Sequence, residues 1–370
     1  MKILEIIPTL GAGGGERFVV DLSNEIAKDT TREVEIMIVK DENIANNGFH
    51  KKNIKDNVKF TSLKVKKYSI STIFKLYKEI KKRKPDIVHF HLSGMISIIF
   101  WTIFFYRKPV YFQTLHGRAD KQQNNIIELF LRKFIYCKKL VNLVTISKDN
   151  DEIFRNFYKA ESVATIYNGR VEDAPHKIEE VRKEISSYKN NEETLVFIHV
   201  ARFHPEKNQQ LLINCFNRYL GNGANAILLL LGANYDSQEA QAILKNAHKS
   251  IHCLGIKRNV FDYLKCSDAF VLSSINEGMP ISLIEAMACK CALLSTPVSG
   301  CVDIISNGIN GYTAKDFTED ALLEIIQEYE KHYRNIDKNL IYDYYINNLS
   351  IQKCTKSYIE LFDKYINKQI

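Results

Sequence analysis

Short apolar runs alternate with longer amphipathic stretches along the whole chain. Runs this rich in Val, Ile and Leu predict strands that are buried on both faces, and therefore parallel sheets covered by helices. The strands predicted in the first half are Ile3–Pro8, Val34–Val39, Val58–Leu63, Ile87–His91, Val110–Leu115, Leu140–Ile146 and Val163–Ile166. Those predicted in the second half are Leu195–Ala201, Ala226–Leu231, Ile251–Leu254, Ala269–Ser273 and Ala292–Ser295.

A polar interval separates the two groups of predicted strands. Residues 168–193 contain Gly169, Pro175 and a highly charged segment, and no strand pattern occurs there. We therefore predict an α/β protein with two doubly wound parallel-sheet domains. Ligands of such sheets bind at the carboxyl ends of the strands, so we expect the site in a cleft between the two sheets. The tail from Asp337 onward predicts terminal helices.

Composition limits the classes of protein that remain. The chain has 370 residues, of which 45% are hydrophobic and 25% are charged, and this excludes disordered, collagen-like and coiled-coil proteins. No two of the eight cysteines have C-x-x-C spacing, so we expect reduced and mostly buried thiols. The longest apolar run, Met95–Tyr106, is shorter than the roughly 20 residues that span a bilayer. The N-terminal strand reaches glycine too soon for a signal peptide, and we expect a cytoplasmic protein.

The net charge of +8 is concentrated in one segment. Thirteen Lys and Arg residues lie between Lys51 and Lys84, against two acids. A local basic patch predicts a local anionic partner, but not a nucleic-acid-coating protein. Together with the aromatic segment 95–108, residues 51–84 suit docking on anionic lipid at the inner face of the membrane. A solvated lysine face and a buried sheet-covering helix remain the alternatives.

Three loops carry candidate chemistry. Gly11–Arg17 follows the first strand and leads into a helix, where backbone N–H groups can approach a ligand, although Glu16 breaks the G-x-G-x-x-G pattern of dinucleotide-binding proteins. Arg202 and Lys207 follow the first strand of the second half and suit a diphosphate. Residues 273–288 combine Glu277 in a loop, Pro280 in the first turn of a helix, and Glu285 inside that helix between apolar neighbours.

In combination, these motifs resemble the retaining glycosyltransferases of family 4, the glycosyl transferases group 1, of the bacterial surface-polysaccharide type. The resemblance covers nearly the whole chain, with the motifs in the order of the family. It rests on GGGER near the N-terminus, DIVHFH at Asp86–His91, IYNG at Ile166–Gly169, the pair Arg202 and Lys207, EGMP with Glu277-x7-Glu285, and PVSGCVDIISNGINGY at Pro297–Tyr312.

The resemblance implies the GT-B architecture, in which two Rossmann-like domains face a central cleft. Residues 1–172 would bind the acceptor, residues 190–345 would bind the nucleotide sugar, and residues 346–370 would form a helix that packs back toward the first domain. The implied reaction transfers a sugar from a nucleotide diphosphate sugar to a hydroxyl of a glycan acceptor, which we expect to be lipid-linked, in surface polysaccharide synthesis. No cofactor is implied besides this co-substrate.

Site residues follow from the same resemblance. His116 and Glu277 would lie at the donor sugar as catalytic residues, and Glu285 would contact the ribose. Glu16 and His91 are acceptor candidates. The other implied donor-binding residues are Gly13, Gly14, Gly15, Arg202, Lys207, Lys257, Gly278, Met279, Pro280, Ile281 and Ser282.

The sequence departs from the family at three positions, where Ala201, Asn208 and Cys301 replace glycines. These substitutions bear on the positioning of the donor. No aspartate-x-aspartate metal motif ends any predicted strand, so we expect no metal, with Arg202, Lys207 and a helix dipole stabilising the leaving diphosphate. Two alternatives remain open: a sugar-nucleotide epimerase of the same architecture, and a peripheral membrane protein with a degenerate site.

Overall fold

The computed structural model describes residues 1–44, 46–92, 95–121 and 126–368. By its internal contacts the chain divides into two compact units. Unit 1 comprises Met1–Val171 and Asn348–Ile370, and unit 2 comprises Glu172–Asn347. The chain passes from unit 1 to unit 2 within the polar interval 168–193, and it returns to unit 1 near its C-terminus.

Unit 1 contains a parallel sheet of seven strands within the described residues, in the order β3-β2-β1-β4-β5-β6-β7. Each of the seven strands predicted in the first half is confirmed, with ends that differ by a few residues. The strands are β1 Lys2–Ile7, β2 Glu33–Lys40, β3 Lys59–Val65, β4 Ile87–His91, β5 Val110–Leu115, β6 Asn142–Thr145 and β7 Ala164–Thr165.

Helices cover both faces of this sheet, because its strands carry apolar side chains on both faces. On one face, Leu76, Ile99, Ile135 and Phe154 from four helices pack in one hydrophobic cluster, and on the other face Phe18 of the first helix packs in a second. The helices are α1 Gly14–Ile26, α2 Ile70–Arg83, α3 Ile96–Phe105, α4 Ile126–Cys137 and α5 Lys148–Tyr158.

Unit 2 contains a second parallel sheet, for which the described residues supply six strands in the order β10-β9-β8-β11-β12-β13. Five of these strands match the predictions. The sixth, β13, was not predicted, because three residues are too few to show a periodic pattern. The strands are β8 Leu195–Val200, β9 Ala226–Leu231, β10 Ile251–Gly255, β11 Ala269–Leu272, β12 Ala292–Ser295 and β13 Gly311–Thr313.

The core of unit 2 contains aromatic side chains in edge-to-face contact. The ring of Phe197 in β8 lies 5.2 Å from that of Phe216 and 5.7 Å from that of Tyr329, centroid to centroid, and these rings join helices to the sheet. The helices of unit 2 are α6 Ile178–Ser186, α7 Gln209–Gly221, α8 Gln238–Leu244, α9 Val260–Lys265, α10 Ile281–Ala288, α11 Cys301–Ile304, α12 Glu319–His332 and α13 Lys338–Tyr344.

The last helix, α14 (Ile351–Ile366), packs on unit 1 beside α1. Gly169 permits the close approach of its first turn, because a Cβ at that position would lie 2.5 Å from Cβ of Cys354 and 2.8 Å from Cα of Ile351. Two backbone hydrogen bonds join the segments, with Arg170 N–H donating to Leu349 O and Ile351 N–H donating to Arg170 O. The glycine of the IYNG motif therefore has a packing role.

Two further expectations concern cysteines and membranes. All eight cysteines are free thiols, and five of them are buried. Among the helices in the described part of the chain, none combines the length and the apolar composition needed to cross a bilayer.

Candidate functional site

The loops that follow β8 and β11 meet at the switch point of the second sheet. The chain runs from β8 to one side through β9 and β10, and then returns to place β11 on the other side of β8. The Nζ of Lys207 lies 2.5 Å from Oε1 of Glu277, and the Ser274 hydroxyl donates to the same oxygen at 2.7 Å. Lys207, predicted to bind the donor, thus contacts Glu277, predicted as a catalytic residue 70 positions further along the chain.

Further hydrogen bonds hold these two loops together. The Ser273 hydroxyl donates to the Lys207 carbonyl at 2.8 Å, and the Ile275 N–H donates to the Glu206 carbonyl at 2.9 Å. The Gln209 amide donates to the Arg202 carbonyl at 2.9 Å, and Gln209 is buried. The backbone on both sides of the Lys207–Glu277 contact is therefore braced from within unit 2.

Arg202 differs from Lys207 in its surroundings. Its side chain is exposed, and it forms no ion pair with any acid in the described ranges of the chain. One cation with a carboxylate partner and one without lie on the same short loop. A guanidinium that is not committed to a protein carboxylate is available to an anionic ligand.

The helix α10 begins directly after the Glu277 loop. Pro280 is its N-cap residue, with φ −67° and ψ 121°, so the prediction that Pro280 lies in the first helical turn is wrong by one position. Ile281 and Ser282 are the first helical residues, where backbone N–H groups lack partners in the helix. Gly300 abuts this entry with φ +78°, and a Cβ there would lie 2.5 Å from the Gly278 carbonyl oxygen.

Two other predicted donor-binding residues lie elsewhere in unit 2. Glu285 is the fifth residue of α10 and is partly buried between Ile284 and Ala286, which are fully buried as predicted. The ammonium of Lys257 lies 3.3 Å from Oε1 of Glu184 and over the ring of Tyr263. The side chain of Lys257 thus has partners within the protein, which leaves the backbone of its loop for contacts with a ligand.

In unit 1, Gly13 is the N-cap of α1, and Gly14 and Gly15 are its first helical residues. The carboxylate of Glu16 folds back over this end of the helix, where a Cβ on Gly13 would lie only 2.2 Å from Oε2 of Glu16. An acid in the first turn of a helix is stabilised by the helix dipole. The start of α1, which was predicted to approach a phosphate, therefore carries a negative charge. It suits a hydroxyl group that donates a hydrogen bond better than it suits a phosphate.

Below this loop lies a fully buried group of polar side chains on β1 and β4. The Oε2 of Glu5 accepts from Nε2 of His91 at 2.7 Å, and His89 contacts the same carboxylate through Nδ1 at 3.0 Å. The Nδ1 of His91 lies 3.0 Å from Nε2 of His116, which follows β5. The network extends from His89 through Thr114 to the hydroxyl of Tyr358 on α14.

Burial and neighbouring charges determine which groups of this network are protonated at neutral pH. Burial would raise the pKa of Glu5, but the positive potential of His89 and hydrogen bonds from both histidines lower it to about 2. Burial and repulsion by His89 lower the pKa of His91 to about 4, and burial lowers that of His116 well below its usual value. At neutral pH, Glu5 is therefore an acceptor only, and both His91 and His116 are neutral.

This protonation determines the tautomers of both rings. The Nε2 of His91 carries the proton, since it donates to Glu5, so its Nδ1 must accept from Nε2–H of His116. The Nδ1 of His116 then has a free lone pair, and this buried atom has no hydrogen-bond partner among the described residues. His116 is held next to Gly15, where an added Cβ would lie 3.5 Å from Cγ of the ring. The network presents His116 as a hydrogen-bond acceptor.

The same residues lie close enough together to raise the question of a metal site. One ligand atom each from Glu5, His89 and His91 lies within 4.8 Å of the other two. The nitrogens of His91 and His89 that face Glu5 lie 2.7 and 3.0 Å from its Oε2, which is hydrogen-bond distance. The other nitrogens contact His116 and Thr114, respectively, so the geometry is that of a hydrogen-bonded network.

The structure corrects one assignment and adds others. His91 was predicted as an acceptor-binding candidate, but its side chain is fully buried with both nitrogens engaged, so it does not face an acceptor. Glu5, Gln209 and Ser274 were not predicted. Only Glu5 carried a sequence signal, because an acid inside the apolar strand KILEII must have a buried partner.

Comparisons with known proteins agree with this architecture. Residues 12–173 match the model described as Glycosyltransferase Family 4, and residues 180–345 match the model described as Glycosyl transferases group 1. The chain is 28% identical to the Capsular polysaccharide biosynthesis glycosyltransferase CapH of Staphylococcus aureus over 64% of this chain and 66% of that protein, just under two thirds of its length.

Two other similarities cover more of the chain. The UDP-Gal:alpha-D-GlcNAc-diphosphoundecaprenol alpha-1,3-galactosyltransferase of Escherichia coli is 23% identical over 81% of each chain. A crystal structure of Anabaena Alr3699/HepE in complex with UDP-glucose superposes with a TM-score of 0.80, at 14% identity, over 98% of this chain and all of that one. This chain belongs to the glycosyltransferases of family 4 and group 1, and it has their GT-B fold of two Rossmann-like domains.

Proposed function

We propose that the protein transfers a sugar from a nucleotide diphosphate sugar to a hydroxyl of a lipid-linked glycan in surface polysaccharide synthesis, with retention of the anomeric configuration and without a metal. The observation that carries this proposal is the contact of Lys207 with Glu277 beside the uncommitted Arg202, at the switch point of the second sheet. Two cations suit a diphosphate, and a carboxylate beside them suits the hydroxyls of the attached sugar.

In this reaction, the bond between the anomeric carbon and the β-phosphate oxygen breaks, and its electron pair stays on the phosphate. The acceptor oxygen bonds to the same carbon from the same face, and its proton passes to the departing phosphate oxygen. Arg202 and Lys207 would stabilise the charge that develops on the diphosphate, which is the role a metal ion has in other enzymes. N–H groups at Ile281 and Ser282, at the start of α10, would add to this stabilisation.

Side chains of unit 1 would bind the other reactant groups. The free lone pair on Nδ1 of His116 suits a donor-sugar hydroxyl, since a neutral imidazole nitrogen accepts a hydrogen bond from an O–H group. The carboxylate of Glu16 at the start of α1 suits an acceptor hydroxyl for the same reason. Both groups accept hydrogen bonds, and the many hydroxyls of a sugar donate them.

The names of two relatives support the choice of substrates. UDP-Gal and a diphosphoundecaprenol acceptor appear in the name of the Escherichia coli relative, and UDP-glucose is bound in the Anabaena structure. We therefore propose a UDP-sugar as the donor and an undecaprenyl diphosphate-linked sugar as the acceptor.

The test is a product assay with the full chain, a panel of UDP-sugars and lipid-linked sugar acceptors, with and without EDTA. We expect a disaccharide-lipid with an α-linkage from an α-linked donor, formed at the same rate in EDTA. A β-linked product, or activity that EDTA abolishes and added divalent metal restores, contradicts the retaining or the metal-free part of the proposal. Conversion of the UDP-sugar to an isomer without an acceptor would instead identify an epimerase.

The role of Glu285 has its own measurement. If it binds the ribose, Glu285→Gln raises the KM for the donor and leaves kcat nearly unchanged, because the ribose is remote from the reacting bond. A fall in kcat at unchanged KM would exclude this role.

A further inference from the structure

The outer surface of three neighbouring helices of unit 1 is apolar and aromatic. On α3, Trp101 is 46% exposed and Phe105 is 65% exposed, although the opposite side of that helix is buried against the sheet. On α4, Phe130 is 69% exposed. We call this surface the aromatic face, and it comprises Phe74, Trp101, Phe104, Phe105, Ile126, Ile127, Phe130 and Phe134.

Ring contacts make the aromatic face continuous between helices. Phe100 of α3 has its ring centroid 6.1 Å from that of Phe134 on α4 and 6.5 Å from that of Phe104. The rings of Trp101 and Phe105 are stacked with centroids 5.9 Å apart. The helix α3 packs against both α2 and α4, so the exposed rings form one patch. A contiguous apolar patch of this kind marks an interaction surface.

The helices that carry the aromatic face, and the segments that follow them, also carry cations without acidic partners. The acids of α2 and α4 are committed to their own helices, Glu79 to Arg83 and Glu128 to Arg132. In the described part of the chain, no acid forms an ion pair with the exposed lysines of these helices or of the segments that follow them. These lysines are Lys75, Lys78, Lys81, Lys82, Lys84, Lys108, Lys133, Lys138 and Lys139.

We propose that the aromatic face docks on the surface of a bilayer that contains anionic lipid. Aromatic side chains enter the boundary between head groups and acyl chains, and lysines of the same helices attract the lipid phosphates. A second copy of the chain fits poorly, because a two-fold contact of this face would oppose like charges. The sequence alone left open a membrane surface or a buried helix at residues 95–108, and α3 is a sheet-covering helix with an exposed aromatic side.

The docking rests on the proposed function for its biological role. It is useful to the protein because an undecaprenyl-linked acceptor keeps its lipid in the bilayer. A peripheral contact through unit 1 would present the protein to the acceptor without extracting the lipid. The docking itself involves no donor and no acceptor, so it is measured separately from catalysis.

The chain offers a direct probe, because Trp101 is its single tryptophan and lies in the aromatic face. The experiment adds vesicles of phosphatidylcholine, with or without phosphatidylglycerol, to the full chain and follows tryptophan emission and co-sedimentation. We expect a blue shift with anionic vesicles, quenching by brominated acyl chains, and reversal at high salt. Neutral vesicles should cause little change.

Two variants test the apolar and the charged parts, and both keep Trp101. Phe105→Ser with Phe130→Ser should lower the partition coefficient by roughly tenfold or more. Lys82→Gln with Lys133→Gln and Lys138→Gln should lower the partition coefficient on the order of a hundredfold.

The matched controls lie on exposed positions of unit 2, and they should bind as the unchanged protein does. They are Phe317→Ser for the rings, and Lys183→Gln with Lys245→Gln and Lys249→Gln for the charges.

The possible outcomes separate clearly. Equal binding to neutral and anionic vesicles, no binding to either, or binding without a change in Trp101 emission overturns the proposal, as does equal loss in the control variants. Self-association that buries Trp101 in the absence of lipid identifies a second copy as the occupant instead. If vesicle binding fails while UDP still binds and a water-soluble acceptor is glycosylated, the docking is wrong and the proposed function stands. Vesicle binding without transfer of sugar to any acceptor would mean that the docking is right and the proposed function is wrong.

Discussion

Oε2 of Glu5 lies 2.7 Å from Nε2 of His91, although 86 residues separate the two in the sequence, and both side chains are fully buried. The contact joins the first and fourth strands at the switch point of the first sheet. Because the carboxylate can only accept, it determines which nitrogen of His91 is protonated and, through His91, which nitrogen of His116 is free. Glu5 is therefore a positioning residue for His116.

Replacing Glu5 tests this positioning. Glu5→Gln keeps the shape but replaces the charged acceptor by an amide, so we expect kcat to fall on the order of ten- to a hundredfold, the effect of losing a charged hydrogen bond. Affinity for UDP should stay within about twofold, because the proposed nucleotide-binding residues lie in unit 2. The measurements are steady-state kinetics and calorimetry with UDP.

A matched control for Glu5 is Glu128, another buried carboxylate of unit 1, which pairs with Arg132 within α4. Glu128→Gln should lower the unfolding midpoint but leave kcat with a water-soluble acceptor unchanged. Equal losses of kcat in both variants would mean that Glu5 acts only through stability. The ¹⁵N chemical shifts of the His91 and His116 rings report the tautomers directly.

The ion pair of Lys207 with Glu277 predicts opposite effects of two substitutions on nucleotide binding. Lys207→Met removes a charged hydrogen bond to the diphosphate and should weaken UDP binding by about 1.5–3 kcal/mol. Glu277→Gln releases the ammonium from its carboxylate, so UDP should bind equally or more tightly while kcat falls. Calorimetry and turnover of the same preparations give both quantities. Lys265→Met, in an ion pair with Glu172 of unit 2, is the control and should leave UDP affinity unchanged.

Weaker UDP binding in Glu277→Gln would contradict this account. It would mean that the carboxylate holds Lys207 in place for the ligand, and does not compete with the ligand for the ammonium.

Gly300 and Gly308 allow a controlled test of the loop that abuts α10. Both have a positive φ, +78° and +77°, so alanine at either position incurs about 1–2 kcal/mol of backbone strain. Only Gly300 also lacks space, since a Cβ there would lie 2.5 Å from the Gly278 carbonyl oxygen and 2.9 Å from Cα of Met279. At Gly308, no described residue other than its chain neighbours would lie within 4 Å of a Cβ. We expect Gly300→Ala to raise the donor KM and Gly308→Ala to affect stability alone.

Kinetics and thermal unfolding of the two variants decide this point. An unchanged donor KM in Gly300→Ala would remove the Gly278–Met279 backbone from the donor site.

Stability should decrease at mildly acidic pH. Burial lowers the pKa of His50, His91 and His199 to about 4 each, against about 6.5 in an unfolded chain. Between these values the unfolded chain binds protons that the folded chain does not. The free energy of unfolding therefore falls as pH decreases from about 6.5 to about 4, by about 1.4 kcal/mol per pH unit for each histidine, and then levels off for these groups.

The measurement is the urea midpoint at several pH values through this range. Removing one of them, as in His199→Gln, should reduce the slope, while His116, whose pKa burial also lowers, continues to contribute to it. A midpoint that does not change between neutral pH and about pH 5 would contradict the protonation states assigned to these histidines.

Much of the architecture was accessible from the sequence alone. Every strand predicted from an apolar run is present, because a strand buried on both faces must be apolar along its length whatever it packs against. The three-residue strand Gly311–Thr313 was missed, since it is too short for such a pattern. The position of Pro280 was wrong by one residue, because proline suits both the cap and the first turn of a helix.

The candidate site was accessible only in part. The resemblance to a family predicted Arg202, Lys207, Glu277 and His116 as site residues, but it did not indicate that Lys207 and Glu277 touch. His91 was assigned to the acceptor because its place in a motif does not reveal its burial. The sequence also did not show that aromatic rings of α3 and α4 are exposed, since an apolar helix can be buried on every side or on only one.

The sequence by itself determined the secondary structure and the division into two sheets, because hydrophobic periodicity is a local property of the chain. Tertiary structure alone decided that Glu5 orders two histidines, that Glu277 pairs with Lys207, and that Gly169 admits α14. Each of these depends on residues far apart in the chain, which are brought within hydrogen-bond or van der Waals distance only by the pairing of strands and the packing of helices on them. Local pattern contains no information about such distances.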